Sequence, residues 1–220
     1  MRREQNDEGI AAEVIDDVTA RIVLSADFFT AGDSALHHLA AILVAEYETP
    51  VKVLQLHFED VSRGDHLGPC ADRSALARVY NILLEAPYFS VAEVTGAVEG
   101  DAAGIVLACD WRSLSAGGSL SFDGLETADL CIPARLAELA GGFAALDLLL
   151  RRHSFGREEA IGYGLAEERG EELLDLIREH AKKRGKSSIR IMRGAVRGAA
   201  KGDQSVVRLV ASLAAVGEKA

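Results

Sequence analysis

Residues 89–112 read FSVAEVTGAVEGDAAGIVLACDWR, and the interpretation of this stretch decides the fold. Residues 90–95 form a short run of strand-favouring types and are expected to make a strand. The small-residue segment 96–110 is expected to turn at its glycines and continue as a helix, since Gly and Ala permit close approach of one backbone to another. Residues 110–115 then read as a strand, and residues 119–122 as another, with Gly117 and Gly118 turning the chain between them.

Outward from this stretch the same alternation continues. Residues 20–26 (ARIVLSA) read as a strand and residues 33–46 as a helix with an acidic start. A second strand is expected over residues 51–57 (VKVLQLH), then a loop over SRGDHLGP with Gly64, Gly68 and Pro69, then a helix over residues 72–85. From Pro133 onward the pattern is almost wholly helical. Strands alternating with helices predict an α/β protein made of βαβ units. A right-handed crossover through the 72–85 helix should then make 51–57 and 90–95 parallel neighbours in one sheet.

Composition sets the outer bounds. A chain of 220 residues with 49% hydrophobic and 26% charged residues can build one sizeable core. Without a repeat or linker, a single domain over 1–220 is expected, with its core at about 20–168 and a helical C-terminal region at about 169–216. The formal charge of −10 argues against nucleic acid as a partner. Lys182, Arg184, Lys186, Arg190, Arg193, Arg197 and Lys201 form a late basic run, which reads as a solvated helical face or as a holder for the phosphates of a nucleotide-bearing substrate. Cys70, Cys109 and Cys131 have no metal-site or redox spacing, so no metal is expected. The charged N-terminus lacks a secretory apolar stretch and no run approaches a membrane span, which makes a cytoplasmic protein without membrane contact the expectation. No dinucleotide or phosphate-loop motif occurs, and no serine sits in a nucleophile elbow.

Three segments together carry a family resemblance. The glycine turn, helix and Cys109-Asp110 pair of 89–112, the segment REEAIGYGLAEE (157–168) with Ala160 and the Gly164-Leu165 turn, and the loop VSRGDHLG with Gly64 resemble the crotonase (enoyl-CoA hydratase/isomerase) superfamily over roughly residues 21–168. The resemblance implies a crotonase-like spiral of ββα/βαβ repeats with a helical C-terminal region. It also implies a strand after Leu165, and assembly as a homo-oligomer, a trimer or hexamer. It places the backbone N–H groups of Asp65 and Asp101 as an oxyanion hole for a thioester carbonyl.

In hydratase members two glutamates handle the water and the α-proton. This sequence has Gly104 and, in the simplest register, Gly124 at those places. Four substitutes are candidates for catalytic work: Asp101, Asp123, Glu126 and His66. Each has a structural alternative, Asp101 as cap of the following helix, Asp123 as cap of the next turn, His66 as a solvent-facing loop residue. The implied substrate is an acyl-CoA or carrier-protein thioester with no other cofactor, and the implied reaction is dehydration, isomerisation or decarboxylation of a polyketide-type intermediate. The alternative is a catalytically degenerate binding or assembly partner of a biosynthetic enzyme such as a polyketide synthase. In its shortness the chain is similar to the accessory proteins of 3,5-dihydroxyphenylacetyl-CoA synthesis.

Overall fold

The computed structural model describes residues 3–5, 9–28, 33–61, 73–122, 131–151 and 154–200. Its main sheet has six strands in the order β1 (Arg3–Gln5), β2 (Ile10–Val14), β3 (Thr19–Ser25), β4 (Val53–Glu59), β5 (Phe89–Val94) and β7 (Trp111–Leu114). The first two join antiparallel, whereas β3, β4, β5 and β7 run parallel. The predicted parallel pair is present, with Val53 opposite Phe89 and Phe58 opposite Val94. Helices α1 (Asp33–Ala45) and α2 (Arg73–Glu85) are the crossovers that parallel pairing requires.

A second sheet holds β6 (Ala97–Glu99), β8 (Ser119–Ser121) and β9 (Phe155–Gly156). Here the structure corrects the sequence reading, because 96–110 is a strand before it is a helix. Three residues are too few to show an alternating pattern. The turn at Gly117 and Gly118 also does more than join two strands, since it carries the chain from the main sheet at β7 to the second sheet at β8. Gly96 makes the earlier crossing, from β5 to β6, possible: a Cβ there would lie 2.5 Å from the backbone nitrogen of Asp60.

Helix α3 (Asp101–Ala108) runs between the sheets and is buried from Ala102 to Ala108. It is the centre of a core that α1 and α2 complete on one face of the main sheet. The other face carries a smaller cluster, Val53, Phe89 and Val91 against Ile177, Ala181 and Ile189. Those last three belong to α7 (Gly170–Lys182), its C-terminal end and α8 (Lys186–Ala200), which follow α4 (Cys131–Ala140), α5 (Gly142–Arg151) and α6 (Arg157–Gly162). After Leu165 the expected strand is reduced to one bond, Glu167 N–H to Arg112 O at 2.8 Å. Among the described residues no helix is long and apolar enough to cross a membrane.

Candidate functional site at the N-terminus of helix α3

The two segments expected to supply oxyanion donors approach each other at their roots. Val61, the residue before the first loop, forms a parallel bridge with Val98 of β6, and Glu99 N–H donates to Val61 O at 3.4 Å. Three residues after Val98 the chain enters α3 at Asp101. Gly100 makes that entry, with φ +58°, a left-handed value that glycine adopts without a Cβ clash, and its N–H donates to Ser121 O at 2.9 Å. The positive end of the α3 dipole is thereby fixed where the paired strands β6 and β8 end.

Asp101 is half-buried at the first position of this helix. The cap position itself belongs to Gly100, which corrects the expectation that Asp101 caps α3. A carboxylate in the first turn still interacts favourably with the helix dipole. Asp65, His66, Asp123 and Glu126, together with Gly64 and Gly124, lie outside the described residues.

Gly104, which the sequence resemblance matched to the first family glutamate, is one turn further along α3, and Ile132 of α4 closes on it. A Cβ built at Gly104 would lie 2.5 Å from Ile132 Cδ1 and 3.0 Å from Cγ1, and Ile132 is buried. Even a methyl group forces the end of the Ile132 side chain to shift, and a glutamate would crowd it further. Phe122 and Phe155 belong to the same core as Ile132, with ring centroids 5.5 Å apart. The position that the resemblance matched to an acid/base glutamate is an apolar contact in this chain. Gly104 was legible in the sequence; Ile132 was not, because its partner is 28 positions away with no periodic relation to it.

The C-terminal end of α3 is built from charge. Asp110 accepts from Ser90 N–H at 2.9 Å and from Ser90 Oγ at 3.1 Å, and it pairs with Arg193 Nε at 2.7 Å and Arg197 Nη2 at 2.9 Å. Arg193 also donates to the carbonyls of Leu83 and Ala86, and Arg197 to that of Leu84, so both satisfy the end of α2. Lys186 does the same at the end of α1, 2.6 Å from Glu46 O and 2.9 Å from Tyr47 O. Arg135 Nε donates to Leu107 O at 3.1 Å, and Arg112 donates to Cys109 O and Leu165 O, both at 2.7 Å. Burial pulls the Arg112 guanidinium down to about 10 and pushes the Cys109 thiol up to about 12, which makes Cys109 an inert core residue.

This corrects the reading of the basic run as a solvated face. Lys182 fits that reading, paired on the surface with Glu179 at 2.9 Å. Lys186, Arg193 and Arg197 instead turn inward and are occupied by helix ends. The signal available in the sequence was their spacing, since Arg193 and Arg197 share one face of α8 with the buried Ile189.

A third polar group lies on the outer face of the main sheet. Glu93 Oε2 accepts from Gln55 Nε2 at 2.6 Å and lies 3.0 Å from His57 Nδ1, while Glu59 is 3.3 Å from His57 Nε2. The hydrogen bond with Glu93 raises the His57 pKa, and the same bond lowers that of Glu93. No group of three or more potential metal ligands converges among the described residues.

Solved structures show what this architecture is similar to. A protein from Thermobifida fusca assigned as an enoyl-CoA hydratase, solved in complex with acetoacetyl-CoA, superposes with a TM-score of 0.72 at 21% identity, covering 96% of each chain. An enoyl-CoA hydratase from Bacillus anthracis gives 0.73 at 19% identity, over 93% of this chain and 90% of that one. One from Shewanella pealeana gives 0.72 at 14%, over 94% and 87%. No protein-family model matches the sequence, and no curated protein does. At these identities the likeness establishes the fold: the chain has the crotonase fold, as the sequence resemblance implied.

Proposed function

We propose that this chain, a crotonase fold with its first acid/base position closed by Ile132, binds an acyl thioester at the N-terminal end of α3 without hydrating it. The carrying observation is the contact of Ile132 with the Gly104 position. A positioned acid or base contributes on the order of 100- to 10,000-fold to such a reaction, and this one is replaced by hydrocarbon. What remains at that end is backbone: a helix start suited to a developing negative charge on a thioester oxygen. The acetoacetyl-CoA bound by the Thermobifida fusca protein supports the choice of ligand class. CoA and carrier-protein thioesters present the same carbonyl.

A protein that binds and does not turn over acts through what it assembles with. Phe143, Leu146 and Leu150 of α5 follow an i, i+3, i+7 spacing and are exposed by 95%, 55% and 71%. Such a stripe supports burial in an oligomer, a trimer or hexamer, or against a biosynthetic enzyme such as a polyketide synthase. The second reading keeps turnover, a dehydration, isomerisation or decarboxylation run by one displaced carboxylate. It is favoured by the half-buried Asp101 at the end of α3 where the thioester would sit.

The test is a calorimetric titration with acetyl-, crotonyl-, acetoacetyl- and malonyl-CoA, each mixture then assayed chromatographically for product. Saturable binding with unchanged ligand is expected. Product from any of them moves the conclusion to the second reading, and absence of binding to all four overturns the proposal.

A further inference from the structure

At the opposite end of α3 from the thioester position, α7 and α8 do not close completely on the sheet and on α4. They leave a cavity of about 490 Å³, within the roughly 300–1,000 Å³ of small-molecule sites. Its floor is apolar and buried, formed by Phe89 and Ile177, with Trp111 set edge-on to Phe89 at a centroid distance of 5.2 Å. Leu173 and Met192 continue the wall toward a mouth where Leu176 and Val196 remain 54% and 70% exposed.

The charge around this cavity has a sign. Four arginines line it, Arg135, Arg184, Arg193 and Arg197, against two carboxylates, Asp110 and Glu138. In a chain of net charge −10 this leaves a local excess of two positive charges. Asp110 is matched to Arg193 and Arg197, and Glu138 to Arg135 at 3.0 Å. Arg184 is exposed, with no ion pair among the described residues, and His180 lies on the same rim. An apolar floor, an apolar lip and an uncommitted cation at the mouth match one type of occupant.

We infer that this cavity is a binding site for a single-chain amphiphile with an anionic head, a medium-chain carboxylate whose hydrocarbon lies against Phe89, Trp111 and Ile177 and whose carboxylate meets Arg184. The inference is independent of thioester binding, because none of its residues belongs to the α3 N-terminal end. The same head-and-tail chemistry is offered by a free fatty acid and by an anionic lipid headgroup.

Trp111 is the only tryptophan of the chain, so its emission reports occupancy directly. The full-length protein is titrated with decanoate below its micelle concentration at about pH 8, where the carboxylate is ionised. Decanol and decyltrimethylammonium serve as neutral and cationic controls, and vesicles containing phosphatidylglycerol as the lipid arm. Decanoate should shift the emission saturably with one molecule bound per chain, and R184E should weaken it by about tenfold or more, as expected when a charge-assisted contact becomes a repulsion. Decanol binding should be unaffected by R184E. Response to vesicles and not to decanoate would assign the anion to a membrane and overturn the small-molecule site. Equal responses to decanoate and decyltrimethylammonium, or R184E binding decanoate as wild type does, would show a surface without anion recognition. Silence toward every amphiphile, or an emission that changes with protein concentration alone, would give the cavity to the chain itself or a second copy, and also overturns the inference.

Discussion

The two ends of α3 are opposites built on eight consecutive residues. At the N-terminal end the chain has glycines, a backbone turn and an isoleucine packed against Gly104. At the C-terminal end a single aspartate is held by two arginines and a serine. The difference shows that the fold is secured by charge at the end away from the proposed thioester position. Charge placed at the far end leaves the near end free to change its side chains while its backbone stays positioned.

The largest expected effect breaks the charged end. Asp110→Ala leaves Arg193, 5% exposed, without its carboxylate, and removing one partner of such a pair costs about 3–5 kcal/mol. Chemical denaturation should show that loss, whereas a loss below about 1 kcal/mol would mean that the carbonyls of Leu83 and Ala86 hold Arg193 unaided.

At the other end, Gly104→Glu should destabilise by about 1–3 kcal/mol through overpacking against Ile132. Adding Ile132→Ala should recover part of it, with a coupling of about 0.5–3 kcal/mol in a double-mutant cycle. Strict additivity would show that Ile132 does not occupy the space a side chain at position 104 needs.

Much of this contrast was legible beforehand. The 89–112 stretch gives its strand, its glycine turn and the buried helix directly, because glycine and alanine at those spacings have few other uses. Gly104 likewise stood out as a glycine inside a helical stretch. Hidden from the sequence were contacts set by tertiary packing: Ile132 on Gly104, and the inward turn of Lys186, Arg193 and Arg197 to cap the ends of α1 and α2. Charged residues on a C-terminal helix look alike from the sequence whether they meet water or a carbonyl. The short β1, β2 and β6 were missed for a related reason, since their pairing partners and not their own patterns make them strands.

Smaller effects sharpen the comparison. Asp101→Asn removes a charge from the first turn of α3 and should cost about 0.3–1 kcal/mol in the same denaturation assay. Thioester affinity should survive if the backbone is the binding element, and its loss would make the carboxylate the contact.

Away from both ends, the His57–Glu93 pair should leave only a pH signature. Its raised histidine pKa gives stability that is present below the ordinary value of 6.5 and is lost as pH rises through the folded value. Its lowered glutamate pKa gives stability that is present above 4.5 and is lost as pH falls through the folded value. The contribution is thus greatest between the two, and His57→Gln should flatten the decline above about 6.5. An unchanged pH profile of the melting temperature would show that the pair is not coupled to folding.

The N-terminal end of α3 is proposed to keep a thioester site and to lack the means to hydrate. The most direct measurement is crotonyl-CoA hydration by the wild-type protein, followed at a ligand concentration shown by titration to saturate it. A bound complex with hydration at background is expected, and turnover at the rates of enoyl-CoA hydratases would contradict the proposed function.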